Sequence, residues 1–310
     1  MIKSFDDLLA GVRSAHSKRV AVAGAAQIPA LEALKMASAQ NLIEPVMVGP
    51  EGKLRDLADQ IGFDLGAFRV VDEPAGDEAC SAKAVAEVVA GRADLLMKGS
   101  VSTAKLLKAV LDKERGLRCG RILSHVAVVE VAGYPKLMLH TDGAINIEQD
   151  LAKRRDILAN AVELARCLGI AKPFAAGLAL VEHPEPKLPE SFDMQALARE
   201  AAGGELGEIV FEGPIALDMA LSGRIARLKG VESRVAGRAD IFLGPDITTV
   251  NFVVKSLIQL AGAKAAGLIV GARVPIVLLS RGDSPEIRML GLALGAYFDE
   301  QTGPRGPRSG

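Results

Sequence analysis

Tryptophan is absent from this chain of 310 residues and aromatic residues make up only 4%, which excludes an interior built on large rings. Ala, Val, Leu and Ile must fill it, the palette of buried parallel strands covered by small-residue helices. The three cysteines, Cys80, Cys119 and Cys167, are far apart and in no C-x-x-C pattern. That excludes a disulfide frame or cysteine zinc site and fits a reducing compartment, the cytoplasm by default. Charge of one sign is also lacking: 37 Lys+Arg against 38 Asp+Glu leave −1. Bulk electrostatics therefore favour neither nucleic acid nor an anionic membrane, and any anion must be held by local groups. No apolar run reaches the ~20 residues a bilayer requires, and the opening Met1-Ile2-Lys3-Ser4-Phe5-Asp6-Asp7 is acidic where an export signal is basic. The patterns G-x-S-x-G, G-x-x-x-x-G-K-[ST] and G-x-G-x-x-G are missing, which weighs against a hydrolase triad, a P-loop kinase and an ordinary dinucleotide enzyme. His16, His125, His140 and His183 show no zinc-site spacing, and His125, inside an apolar run, reads as a satisfied core or strand-end group.

What is present is globular in proportion, with 49% hydrophobic residues, 24% charged residues and 32 glycines, and the length suits two domains. Short apolar runs alternate with segments of helical period from Val20 to Leu279, the signature of βαβ units. Strands are expected at Val20–Ala23, Pro45–Val48, Arg69–Val71 and Asp94–Met97, with helices over Ile28–Ala39, Lys53–Ile61, Ala79–Ala90 and Thr103–Leu111. Residues 122–141 read as an antiparallel hairpin turning at Ala132-Gly133-Tyr134-Pro135. A long helix follows over Leu151–Leu168, then strands at Ala175–Val181, Glu208–Phe211, Asp240–Leu243, Ala266–Val270 and Pro275–Leu279. The stretch 183–190, with three prolines, is expected as an exposed loop, and 299–310 as a frayed tail.

In open α/β sheets ligands bind beyond the carboxyl ends of strands, so four strand-to-helix turns hold the candidate chemistry. The first is Lys98-Gly99-Ser100-Val101-Ser102-Thr103, where a glycine, three hydroxyls and a helix N-terminus could cradle a phosphate. Ser102 or Thr103 capping the next helix is the commoner reading of such a motif in isolation. The second, His140-Thr141-Asp142-Gly143-Ala144-Ile145-Asn146, gathers more hydrogen-bonding side chains than a plain Asp-Gly turn needs. In the third, Gly244-Pro245-Asp246 precedes a helix that places Asn251 and Lys255 four apart on one face, and a capped helix with a solvated lysine explains it as well. In the fourth, Ser280-Arg281-Gly282-Asp283-Ser284-Pro285, Asp283 or Ser284 caps a helix that Pro285 opens. Capping leaves Ser280 and Arg281 without a task, and an arginine there offers a planar fork for phosphate or carboxylate.

Taken in order, Met97-Lys98-Gly99, Leu123-Ser124-His125-Val126-Ala127, Thr141-Asp142-Gly143-Ala144-Ile145-Asn146, Glu212-Gly213-Pro214-Ile215-Ala216-Leu217-Asp218 and Pro275 to Arg281 resemble the phosphate acetyl/butyryltransferase family over nearly the whole chain. The resemblance implies reversible acyl transfer between coenzyme A and phosphate, with acyl-CoA and phosphate as substrates, neither metal nor organic cofactor, and a homodimer. It implies two α/β/α domains with mostly parallel sheets around a cleft, like isocitrate/isopropylmalate dehydrogenases. The first domain would take residues 1–145 and 283–310, and the second residues 146–282. By the same resemblance Ser280 and Arg281 match the family's active-site pair; the chain's own neighbouring acids, Asp283 or Glu286, are the candidates for the base. Asp142, Gly143 and Asn146 match its cleft motif, and Lys98, Gly99, Ser100, Ser102 and Thr103 its phosphate-side turn. Asp246, Asn251 and Lys255 match its Pro-Asp…Gly-Asn…Lys motif, with Val250 in place of the glycine. Lys108 and Ile287 stand where the acetyl branch has an arginine and an aspartate, so the chain looks closer to the butyryl branch. An acyl-carrier-protein:phosphate acyltransferase of the same fold, a non-catalytic two-lobe binding protein and a metal-dependent hydroxyacid dehydrogenase are the alternatives. No convincing acidic cluster supports the last.

Overall fold

A computed structural model describes residues 1–13, 17–278 and 282–303. The chain begins α1 (Phe5–Arg13), β1 (Lys18–Ala23), α2 (Ile28–Ala39), β2 (Ile43–Gly49), α3 (Glu51–Gln60), β3 (Arg69–Asp72), α4 (Asp77–Val89), β4 (Leu95–Lys98) and α5 (Thr103–Val110). It continues through β5 (Ser124–Glu130), β6 (Met138–Thr141), α6 (Leu151–Cys167), β7 (Phe174–Leu178), α7 (Glu190–Ala202), β8 (Val210–Ile215), α8 (Leu217–Leu221), α9 (Gly223–Leu228), β9 (Ile241–Leu243) and α10 (Ile247–Ala261). It ends with β10 (Lys264–Val270), β11 (Ile276–Val277) and α11 (Pro285–Thr302).

Two compact units divide these elements, one of Phe5–Arg121 with Ala266–Gly310, the other of Met1–Ser4 with Ile122–Ala265. The boundaries therefore fall at 121/122 and 265/266, where the sequence suggested 145/146 and 282/283. Strand pairing gives the reason. The hairpin strand β6 runs parallel to β9 with Leu139 opposite Ile241, so it joins the second unit. Strand β11 runs parallel to β4 with Val277 opposite Met97, so the last strands join the first.

In the first unit the strand order is β3-β2-β1-β4-β11-β10, parallel except for the β10–β11 pair. Val20 to Ala23 of β1 are fully buried, and α2 turns Ala30, Ala33 and Ala37 into the core. Small side chains let helices approach closely: a Cβ on Gly295 of α11 would meet Leu95 at 3.0 Å and Val277 at 3.1 Å. The second unit has the order β5-β6-β9-β7-β8, with the β5–β6 hairpin antiparallel and the rest parallel.

Several elements depart from the sequence expectations. Helix α1 was read only as an acidic start, yet it buries Phe5, Leu8 and Val12. Its Gly11 lies so close to Tyr297 of α11 that a Cβ would come within 2.9 Å of the ring. Strand β8 runs through Gly213-Pro214, joined by a cis peptide, a pair that reads as a turn in sequence. Residues 299–302 are helical, not frayed, because buried Asp299 is held by Lys18 at 3.1 Å. Residues 304–310 of the expected tail lie outside the described residues. Strand β7 stops at Leu178, and β11 is a two-residue ladder; Leu279 of its expected span lies outside the described residues.

Candidate active site

In the first unit the turn after β4 is held by its own backbone. A Cβ on Gly99 would lie 2.2 Å from the Gly24 carbonyl oxygen, so only glycine fits. Its N–H donates to Ala23 O at 2.9 Å and that of Ser100 donates to Gly24 O at 2.8 Å. The two N–H groups the sequence offered to an anion are thus spent on the end of β1. Ser100 Oγ also donates to Gly24 O, at 3.0 Å, and Lys98 Nζ donates to Gly99 O and Val101 O, both at 3.2 Å. Ser102 caps α5 by accepting from the Lys105 N–H at 3.3 Å, and Thr103 opens the helix.

In the second unit the turn after β6 is organised by Asp142, which is fully buried. Its Oδ1 accepts from the N–H groups of His125, Ala144 and Ile145 at 3.2, 2.9 and 3.1 Å. Its Oδ2 accepts from the Asn146 N–H at 3.1 Å and the Asn146 amide at 2.5 Å. Five donors exceed the ~4 lone-pair sites of a carboxylate, so Asp142 shapes the loop and has no capacity left for a substrate proton. Asn146 ties the loop down by donating to Leu123 O at 2.8 Å.

The β9-to-α10 turn meets that loop. Asn251 donates from Nδ2 to Gly143 O at 3.1 Å, which brings it together with the loop of Asp142, Gly143 and Asn146. Val250, where the family pattern has glycine, is accommodated by two glycines: its methyls would lie 3.0 Å from a Cβ on Gly143 and 2.0 Å from one on Gly244. Asp246 caps α10, accepting from the Thr249 N–H at 2.9 Å and its hydroxyl at 2.7 Å. Burial raises the Asp246 carboxyl, but bonds from Thr249 and Thr248 outweigh it and hold the pKa below the ordinary value. Lys255, one turn on, is exposed.

His125 departs from its sequence reading. The residue is half-buried, and its Nδ1 is enclosed with no hydrogen-bond partner among the described residues. Burial pushes its pKa down, and the Asp142 carboxylate partly opposes the shift. Only an unpartnered atom in three dimensions shows this; an apolar sequence context hides it. Beside the site a cavity of about 630 Å³ opens at the carboxyl ends of β7 and β9, lined by Leu178, Leu180, Leu217, Val253 and Asp246 among others. Buried Arg154 anchors its edge, donating to Asp193, Gln149 and the carbonyls of Gly244 and Pro245.

Ser280 and Arg281 lie outside the described residues. Just beyond them Ser284, rather than Asp283, caps α11, accepting from the Ile287 N–H at 3.3 Å. Asp283 accepts through its carbonyl from Arg288 Nε at 3.1 Å, and its charge supports that buried guanidinium, whose pKa burial lowers. A hydrogen bond from Ser284 holds Glu286 below the ordinary carboxyl value. Among the described residues no three His, Cys, Asp or Glu gather as a metal site, and no helix is long and apolar enough to cross a membrane.

Comparison with known proteins gives three findings. The model of the family described as Phosphate acetyl/butaryl transferase matches residues 77–294. The chain is 42% identical to a phosphate butyryltransferase from Clostridium acetobutylicum, covering 96% of this chain and 98% of that one. It is 40% identical to a phosphate acetyltransferase from Rhizobium meliloti, covering 95% and 93%. Among solved structures, a branched-chain phosphotransacylase from Enterococcus faecalis is similar with a TM-score of 0.79 and 32% identity, covering 91% of this chain and 98% of that one.

Proposed function

From the premise that the chain belongs to the phosphate acetyl/butyryl transferase family, we propose that its strand-end turns hold acyl-CoA and phosphate for direct acyl transfer. The enzyme moves a short acyl group, acetyl or butyryl, reversibly between coenzyme A and inorganic phosphate. The observation that carries this is the 42% identity with a phosphate butyryltransferase over 96% of the chain.

The chemistry sets what the site must supply. In the direction of thioester synthesis the coenzyme A sulfur loses its proton and attacks the acyl-phosphate carbonyl. The carbonyl oxygen gains charge, and phosphate leaves with the bonding pair. Holding both substrates in line provides much of the acceleration, and donors aimed at the developing charge provide more. Arg281 neutralises the phosphate, and Ser280 hydrogen-bonds the sulfur or the oxyanion. Asn251 fixes the Gly143 carbonyl, and Asp142 and Asn146 fix the loop that bears it. Asp283, the acid expected from sequence to serve as base, is better placed as counter-ion to Arg288. The backbone N–H groups of Gly99 and Ser100 and the Ser100 hydroxyl proton are spent on β1 and Gly24, so Lys98 and the hydroxyls of Ser102 and Thr103 serve the phosphate-side turn by side chain.

One further reading belongs here. The enzyme works as a homodimer, supported by α10, which leaves two large apolar side chains uncovered, Phe252 66% and Leu260 87% exposed, of the kind an interface would cover. Acetyl-, propionyl- and butyryl-CoA, each incubated with phosphate and a thiol reagent, test the reaction and rank the chains. Arg281→Ala should cut phosphate-dependent thiol release by about 10²–10³, the loss typical of removing one charge-stabilising donor; turnover within threefold of wild type rejects the role given to Arg281.

A further inference from the structure

We propose that His125 is the proton acceptor for the coenzyme A thiol. The inference rests on the acyl-transfer reading above and supplies the one group that reading lacks, a free base. Asp142 has both oxygens filled by five donors. Asp246 has both oxygens on Thr249. Asp283 serves buried Arg288, and Glu286 is held by a hydrogen bond from Ser284. His125 is different: among the described residues its enclosed Nδ1 has no hydrogen-bond partner, while the residue as a whole is half-buried, which leaves the opposite ring nitrogen, Nε2, as the one assigned the acceptor role.

Its surroundings suit the task. A buried polar atom without a partner costs about 1–3 kcal/mol, a cost that a purely structural residue at this strand end, such as leucine, would avoid. The ring stands at the carboxyl edge of the second unit's parallel strands, where His125 N–H donates to Asp142 and Thr141 Oγ1 donates to His125 O at 2.9 Å. A Cβ on Gly143 would lie 3.7 Å from Nδ1, with Val250 and the Asn251 N–H bordering the same space. From α10, therefore, the neutral residues Val250 and Asn251 face it, and from the β6 turn the charged group is Asp142. Burial keeps the ring neutral near pH 7, ready to accept, and the nearby carboxylate steadies the imidazolium once formed. The proton balance closes: the thiol S–H proton passes to Nε2, sulfur forms the C–S bond, the C–O bond to phosphate breaks, and the imidazolium returns the proton to the departing phosphate.

The test uses the full-length enzyme with butyryl phosphate and coenzyme A, following thioester formation across pH. His125→Gln should lower kcat at pH 7 by about 10²–10⁴, the range of a lost general base, with KM for both substrates within about threefold. Its rate should climb about tenfold per pH unit toward the thiol pKa of ~8.5, because the thiol must then ionise unaided, so the wild-type advantage shrinks as pH rises. A ratio of wild type to variant that does not change with pH overturns the proposal, as does a kcat within threefold of wild type. Should His125→Gln fail to fold by far-ultraviolet circular dichroism, His125→Asn and His125→Ala with added imidazole carry the same test; imidazole restoring at least tenfold supports the proposal, and no restoration in a folded His125→Ala protein overturns it. A wild-type enzyme without phosphate-dependent acyl transfer would instead remove the functional reading itself.

Discussion

His140 is fully enclosed in the second unit, its ring stacked on Phe242 with centroids 4.8 Å apart and Nε2 without a hydrogen-bond partner among the described residues. Burial alone depresses its pKa from 6.5 to about 4. A histidine kept neutral in the fold but free to protonate when unfolded adds stability above its unfolded pKa, and that contribution is lost as pH falls through the window from 6.5 to about 4. At about 1.4 kcal/mol per pH unit the loss reaches roughly 3 kcal/mol. Urea midpoints followed by far-ultraviolet circular dichroism should fall more steeply over this window in wild type than in His140→Leu; equal slopes contradict the account. Asp142 carries the opposite kind of burden, since its carboxylate gathers four backbone N–H groups. Asp142→Ala leaves those donors enclosed without an acceptor, at about 1–3 kcal/mol each where water cannot replace it. The expected result is a lower melting temperature together with a kcat loss of at least 100-fold; a variant with the wild-type melting temperature and kcat refutes the scaffold role.

Elements meet through glycines in this fold, and the β9-to-α10 turn shows how tightly. Gly244→Ala forces a Cβ onto a Val250 methyl, to which the gap is 2.0 Å, and overpacking of this kind costs about 1–3 kcal/mol. In a Val250→Ala background the same substitution should cost under about 0.5 kcal/mol, because the offending methyls are gone. Denaturation of the four proteins of this cycle measures the coupling; additive losses would show that the two positions do not share the space. The helix–strand alternation behind this turn was legible because period and turn residues are local signals: Ile28–Ala39 matches its expected bounds, and the hairpin pairs as read. Helix α1 and the last turn of α11 were not legible, because what orders them is a remote contact, Tyr297 on Gly11 and Lys18 on Asp299. Strand β8, expected over Glu208–Phe211, runs on to Ile215 for the same reason, since pairing with β7, not propensity, makes it extended. At the site, the residue types of the Asp142 loop were readable, whereas the spent N–H groups of Gly99 and Ser100 and the unpartnered ring of His125 depend on partners far away in the chain.

The scarcity of aromatics acquires a reason at the scale of the molecule. Two parallel-rich units are covered by helices that approach over alanine and glycine, as Gly295 shows against Leu95 and Val277, and large rings would hold those layers apart. Apart from Met1–Ser4, the second unit lies between two stretches of the first, with its divisions at 121/122 and 265/266; the resemblance implied such an arrangement, and strand pairing decides where the divisions fall. The exposed face of α10 carries the quaternary prediction: Phe252→Glu with Leu260→Glu should halve the mass measured by light scattering, while an unchanged mass excludes α10 from the dimer interface. The central claim, acyl transfer between coenzyme A and phosphate, is tested most directly by incubating the purified enzyme with butyryl-CoA and following free thiol with and without phosphate. The account predicts thiol release that requires phosphate and is matched mole for mole by butyryl phosphate. Release that ignores phosphate, or none with acetyl-, propionyl- or butyryl-CoA, would contradict it.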